Sequence, residues 1–266
     1  MRTLAPLGRR LLTVTGADDV GAYRVLHVAD PDGPSPAAGQ FYMLAAARGW
    51  GAGEDERPYL PRAFSFLRAV DGALSFMLED VGPGTRRLAQ LRGGDGLWLT
   101  GPLGVGFRAP HDGRRPLLAG GGVGIPPLAG WADALAAAGL HASAVLGFRD
   151  AHHAAGARLL EHADVSVATD DGAVGHHGLV TELLAAELAR DPYAVVYACG
   201  PPRMLEAVRA LCAEHDVPAQ LALEAAMACG FGACYGCVVP IRDGGYLRIC
   251  VDGPVLDAAR LEAVPA

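Results

Sequence analysis

The chain has 266 residues, a formal net charge of −7 and 51% hydrophobic residues. That length suits about two domains with real cores, and the acidic balance offers no footprint for nucleic acid. All 22 Lys/Arg positions are Arg, which excludes Schiff-base catalysis, pyridoxal phosphate anchoring and P-loop lysine chemistry.

In chain order, the first hundred residues read as short strands. RRLLTVTG, AYRVLHVA, GQFYMLAA, RAFSFLRA, ALSFMLED and DGLWLT are separated by Gly, Pro and Asp turns. Strands at that spacing predict a small antiparallel β-barrel over residues 1–108. One helix is expected inside it, from Gly84 to Leu91 with Thr85 as N-cap. Arg48–Pro61 reads as an exposed loop. The opening MRTLAPLGRRLLTVTGADDV lacks a sustained apolar stretch, so no secretory signal is expected, and no run of eighteen apolar residues predicts a membrane span.

From Pro116 the pattern changes to alternating strand and helix, which predicts an α/β domain with a parallel sheet over residues 116–224. Strands are expected at 116–119, 142–148, 165–169, 194–199 and 220–224. Ligands of such a sheet bind at the carboxyl ends of its strands. Residues 225–266 hold a cysteine loop and a short hairpin (237–241 with 246–250) around Asp243-Gly244-Gly245. Their core is too small to stand alone.

Several segments carry candidate chemistry. Arg62-Ala63-Phe64-Ser65 heads a strand, where an Arg beside a hydroxyl can clamp a pyrophosphate and an aromatic can lie on a flavin; such residues are also ordinary in strands. Gly84-Thr85 opens a helix, an anion site or a plain cap. Gly121-Gly122-Val123-Gly124 follows a strand and opens a helix, where a dinucleotide pyrophosphate would sit; a glycine-rich turn is the alternative. Cys199-Gly200 ends a strand on the same edge, although Cys199 can equally be a core thiol, as expected of Cys212. Asp170 follows another strand and can bond a ribose hydroxyl and repel a 2′-phosphate, favouring NAD, or mark a turn. The histidines His152, His153, His162, His176 and His177 read as solvated.

The densest signal is Cys229, Cys234, Cys237 and Cys250, with gaps of four, two and twelve residues. C-x4-C-x2-C plus a later Cys is the pattern that holds a [2Fe–2S] cluster. Structural zinc is the alternative, but it usually shows two separated C-x2-C pairs and this chain has one. Four clustered thiols among six read as metal ligands in a reducing cytoplasm.

The order RxFS, GxGT, GGGVGIPP, CGPPRM and then the four-cysteine loop resembles the ferredoxin-NADP reductase superfamily. More closely it resembles the electron-transfer subunits of NAD-dependent dihydroorotate dehydrogenases, as do TDDG at 169–172 and CVDGPV around Cys250. The resemblance implies FAD held by Arg62, Ala63, Phe64, Ser65, Met77, Leu78, Glu79, Gly84 and Thr85. It implies NAD over Gly121 to Gly124 with Cys199 and Gly200 near the nicotinamide, and a [2Fe–2S] cluster on the four cysteines. It also implies electrons passing from the FMN of a separate dihydroorotate-oxidising catalytic subunit to NAD⁺, in pyrimidine biosynthesis and a two-plus-two heterotetramer. Two departures stand out: Pro is common in the family where Ala63 stands, and a basic residue is frequent where Glu79 stands. The alternatives are the NAD(P)H-handling subunit of a hydrogenase or ferredoxin-linked transhydrogenase, and a zinc-bound scaffold without activity.

Overall fold

The computed structural model describes residues 9–51, 58–110 and 113–264. The first eight residues and the middle of the Arg48–Pro61 loop lie outside that range. The first sheet comprises β1 (Arg10–Val20), β2 (Tyr23–Ala29), β3 (Phe41–Ala46), β4 (Arg62–Ser65), β5 (Arg68–Val70), β6 (Ala73–Leu78) and β7 (Gly96–Leu103). Its seven strands run in the order β4-β3-β7-β1-β2-β6-β5, and every pairing is antiparallel. Helix α1 (Pro83–Ala89) is inserted between β6 and β7.

RAFSFLRA, read as one strand, is two. Phe66 and Leu67 are buried between β4 and β5, which occupy opposite edges of the sheet. The chain closes the barrel where the ladder does not, because burying both side chains turns the backbone away from β3 toward β6. Leu26, Leu44, Phe76, Leu97 and Leu99 fill the interior with no exposed surface.

The second sheet is built from β8 (Arg115–Gly121), β9 (Ala142–Phe148), β10 (Ala163–Thr169), β11 (His176–His177), β12 (Ala194–Cys199), β13 (Ala219–Ala222) and, later in the chain, β16 (Val255–Asp257). Helices α2 (Ile125–Ala137), α3 (Ala151–Ala154), α4 (Val180–Arg190) and α5 (Pro202–Glu214) connect its strands. The order is β11-β10-β9-β8-β12-β13-β16, parallel except for the last pair. Strand order reverses between β8 and β12, and a doubly wound sheet opens its ligand crevice at that switch point. Gly120 of β8 lies opposite Cys199 of β12. Gly124, at the start of α2, packs so closely that an added Cβ would stand 2.1 Å from the Cys199 carbonyl oxygen.

The last segment carries hairpin β14 (Val238–Pro240) with β15 (Tyr246–Arg248) and a helical turn α6 (Ile249–Asp252). Its residues do not form a core of their own. Cys237, Val239, Leu247, Ile249 and Cys250 share one apolar cluster with Phe41, Met43 and Leu103 of the barrel and with Leu117, Val196 and Leu221 of the parallel sheet. Residues 255–257, read from sequence with the cysteine segment, extend the parallel sheet instead, since Val255–Asp257 pair with β13.

Several polar contacts fasten barrel to sheet, the following among them. Arg68 pairs with Asp133 of α2, and Glu79 pairs with Arg149 and with His153. Among the described residues no helix is long and apolar enough to cross a membrane.

The Gly124 contact is testable. Gly124→Ala drives a methyl into a backbone carbonyl that cannot step aside, so a stability loss of about 1–3 kcal/mol is expected in denaturant unfolding. The KM for a dinucleotide should rise with it, because the first turn of α2 must shift.

Candidate functional site

Two cavities meet at the carboxyl edge of the parallel sheet. The smaller, about 270 Å³, lies between barrel and sheet, and the larger, a groove of about 790 Å³, runs over the sheet edge. Glu79, Val123 and Glu224 line both, so the two are neighbours.

The smaller cavity gathers the barrel residues read from sequence. Arg62, Ala63, Phe64 and Ser65 come from β4, Met77 from β6, and Glu79 and Thr85 from the segment that follows. Arg62 donates to the Leu60 carbonyl at 2.7 Å and stands over the Trp50 ring, 5.8 Å from its centroid. A Cβ on Gly84 would meet the Arg62 guanidinium at 2.6 Å, so glycine lets the cation lie flat on the start of α1. With Phe64, Met77, Val123 and Pro126, this makes an apolar slot with a guanidinium and a hydroxyl at one end. That donor set suits a planar heteroaromatic ring carrying a phosphate tail.

Three expectations about this end need correction. Thr85 is not the N-cap, which is Gly82; it sits three residues further on. Its hydroxyl accepts from the Val81 and Gly82 amides and donates to the Gly82 carbonyl, each at 3.0 Å. Leu78 points into the barrel core, fully buried, because side chains alternate along β6 and Met77 takes the cavity side. The His153 side chain is 14% exposed rather than solvated: its ring meets Asp150 at 2.6 Å and Glu79 at 3.4 Å, because the β9–α3 corner faces the barrel.

The groove is lined by Gly121, Gly122 and Val123, by Asp170, and by Arg149, Arg203 and Met204. Gly124 and Gly200 are not in its lining but pack against residues that shape the site. Gly124 supports the Cys199 carbonyl, and a Cβ on Gly200 would strike Met204. Asp171 makes the turn, accepting the Ala173 amide at 3.0 Å, whereas Asp170 is exposed on the groove wall. Tyr23 also lines the groove, its hydroxyl buried and without a hydrogen-bond partner in the protein.

Cys199 is buried and lines the smaller cavity beside Glu224. Burial and then the neighbouring Glu224 carboxylate push its thiol well up, so it stays a neutral S–H. Glu224 is exposed at the rim shared by the two cavities, and desolvation by the surrounding walls raises its carboxyl. Sequence reading passed over Glu224, Arg149 and Tyr23. The only hint was Glu224's place just past a strand on the ligand edge.

The cysteine loop follows at once, with Ala225 and Met227 lining the same small cavity. All six cysteines are free; Cys234 is exposed, Cys229 half-buried, and Cys237 and Cys250 buried. The four loop thiols influence one another: Cys234 acts on Cys229, and Cys237 and, more weakly, Cys229 act on Cys250. Among the described residues no three His, Cys, Asp or Glu side chains gather as round a single ion. A two-iron cluster takes four thiolates, which is the number the loop supplies.

Backbone amides aim at the sulfurs. Burial alone would raise Cys229, but the Phe231, Cys234 and Ala233 amides and the Cys234 thiol bring it down to about 6. The Gly236 amide reaches Cys234 Sγ at 3.5 Å, and the Cys250 amide reaches Cys237 Sγ at 3.5 Å. Burial and then the Cys237 thiol push Cys250 up to about 12, so bound metal must displace its proton. Gly230 and Gly232 have φ of +77° and +86°, which turns successive amides inward at small steric cost.

A barrel, a doubly wound sheet with its crevice at the switch point, and a four-thiol loop define a ferredoxin-reductase-like electron-transfer protein with an iron–sulfur segment. The comparisons agree. Residues 224–262 match the family described as iron-sulfur cluster binding domain of dihydroorotate dehydrogenase B. The chain is 37% identical over 210 residues to the dihydroorotate dehydrogenase B (NAD(+)) electron transfer subunit of Desulforamulus reducens, covering 76% of this chain and 80% of that protein. It is 38% identical over 233 residues to the same subunit of Geobacillus thermodenitrificans, covering 84% and 86%. A solved NADH-dependent reduced ferredoxin-NADP oxidoreductase superposes with TM-score 0.78 at 24% identity, covering 97% of this chain and 92% of that one. Phthalate dioxygenase reductase superposes with TM-score 0.64 at 16% identity, covering 97% and 96%. The chain belongs to the family of dihydroorotate dehydrogenase B electron transfer subunits, and its role is that of an electron-transfer oxidoreductase subunit.

Purified protein is expected to carry about two irons per chain and, once reduced with dithionite, the EPR signal of a two-iron centre. Cys250→Ser should lose that signal, whereas Cys212→Ser, a buried thiol outside the loop, should keep it.

Proposed function

We propose that this chain carries electrons from an FMN-bearing, dihydroorotate-oxidising catalytic subunit to NAD⁺, in a cytoplasmic heterotetramer of two plus two chains serving pyrimidine biosynthesis. One observation carries the reading. The small cavity is walled on one side by the residues of the nucleotide groove and on another by the run leading into the cysteine loop. A carrier in that cavity has a paired-electron partner on one side and a single-electron partner on the other. FAD, when bound there, exchanges hydride with nicotinamide and single electrons with an iron–sulfur cluster, a conversion that no protein side chain supplies.

The chain's own residues do the rest. Arg62 offers its guanidinium to the pyrophosphate, while Phe64, Ser65 and Met77 bound the ring. Val123, over Gly121, Gly122 and Gly124, with Cys199 and Gly200, forms the wall against which the nicotinamide lies. The neutral Cys199 thiol and the Glu224 side chain flank that contact. Asp170 takes the ribose hydroxyls and repels a 2′-phosphate. Cys229, Cys234, Cys237 and Cys250 hold the cluster.

The outer face of the loop suits a protein partner. Phe231 and Tyr235, either side of the exposed Cys234 in the loop, are 42% and 63% exposed, and Tyr246, on the hairpin that follows, is 71% exposed. Arg248 stiffens that face, its guanidinium 5.2 Å from the Tyr235 ring centroid and bonded to the Gly232 carbonyl at 3.2 Å. Exposed aromatics on a braced loop are characteristic of interface centres. A transhydrogenase-type subunit is the second reading, favoured by the superposition on a ferredoxin-NADP oxidoreductase. The relatives of higher identity favour the first.

The isolated chain should reduce ferricyanide with NADH, and Asp170→Ala should narrow its preference for NADH over NADPH by about tenfold. Tyr235→Ala with Tyr246→Ala should leave that activity and the iron content intact while weakening co-purification of the FMN subunit. Capture of a hydrogenase or ferredoxin in its place would decide for the second reading.

A further inference from the structure

At the opposite end of the parallel sheet lies a basic recess that none of this chemistry uses. Two cavities of about 390 and 700 Å³ open at the amino ends of β12 and β13 and share Arg114, Pro218, Ala219 and Asp257. Arg108, Arg114, Arg209, Arg242 and Arg260 line them, against two carboxylates, Asp216 and Asp257. In a chain of net charge −7 this is a marked local reversal of sign.

Internal pairing does not cancel it. Arg108 takes Asp257, and Glu206 holds Arg209 through bonds of 2.9 and 2.6 Å. Among the described residues Arg114, Arg242 and Arg260 have no carboxylate partner. Two of them are nonetheless fixed. Arg114 donates to the Ala194 carbonyl at 3.2 Å and lies 4.9 Å from the Tyr193 ring centroid, and Arg242 donates through Nε to the Leu261 carbonyl at 3.0 Å. Each keeps guanidinium N–H groups for another acceptor, with part of its rotamer entropy already lost. Arg108 is held as well. The buried Gln220 bonds its amide and carbonyl at 2.9 and 3.0 Å, and the Tyr197 hydroxyl adds a bond to the same carbonyl at 2.9 Å.

We propose that this recess binds a phosphate-bearing small molecule of nucleotide size. Its phosphate lies on Arg114, Arg242 and Arg260, and its apolar part lies over Val217, Pro218 and Ala258. The larger cavity is within the range of small-molecule sites and is too roomy for a bare anion. A fixed guanidinium is the group best suited to phosphate. The recess sits across the sheet from the dinucleotide groove, so the two ligands do not compete.

The test is calorimetric titration of the holoprotein with UMP, and separately with inorganic phosphate, with NAD⁺ at saturation to fill the groove. UMP should bind more tightly than inorganic phosphate, and more weakly in high salt. Arg242→Ala with Arg260→Ala should weaken UMP by about tenfold or more, and the matching Lys pair should recover part of that loss. NADH–ferricyanide activity within about twofold of wild type would show that the variants are folded. The proposal is overturned if UMP binding disappears when NAD⁺ is present, if wild type and the double Ala variant bind alike, or if inorganic phosphate binds as well as UMP.

Discussion

The Gly124–Cys199 contact sets the geometry on which the site depends. Parallel pairing of β8 with β12 brings Gly120 opposite Cys199. One turn later, α2 begins with its backbone pressed on the Cys199 carbonyl, at a distance only glycine allows. Val123 and Cys199 are thereby forced onto the same cavity wall, and β13, paired beside β12, delivers Glu224 to its edge. The crevice follows from strand order, but its depth follows from one absent methyl group.

Much of this was legible in the sequence, for local reasons. The cysteine spacing is set by how a short loop wraps a small group, so the loop is visible without the fold. GGGVG between a strand and a helix is local as well, and so is the end of β12 at Cys199. What stayed hidden was non-local. Nothing near Glu224 or Tyr23 signals a cavity, because the cavity is made where distant segments meet. RAFSFLRA has the composition of one strand and becomes two because its middle is drawn into two cores. β16 looked like part of the cysteine segment because a three-residue strand has no period of its own.

The cysteine segment is not an independent module. Its buried thiols share a cluster with Met43 and Leu103 of the barrel, and a Cβ on Gly230 would stand 2.6 Å from Met43. The loop therefore has an inner face, pressed on the barrel and joined through Met227 to the small cavity, and an outer face carrying Cys234 and Tyr235. An electron carrier needs this two-sidedness: one side fixed to its internal acceptor, the other presented to a donor. Folding the loop into a shared core fixes the inner distance more firmly than a tethered domain would.

Glu79 shows how the seam absorbs a departure from the family pattern. An acid beside a flavin phosphate would repel it, and the sequence alone leaves the residue unexplained. In the fold its carboxylate is turned to the other domain, where Arg149 pairs with it and His153 stands 3.4 Å away, the latter held by Asp150. The Glu79 side chain is 17% exposed and that of Arg149 59%, so removing Arg149 would leave the carboxylate poorly hydrated, whereas removing Glu79 would leave an exposed guanidinium. The position lines both cavities and also makes a contact between domains. Barrel and sheet are thus fixed to each other at the point where both cavities share a wall, and the relative placement of two bound cofactors depends on that seam.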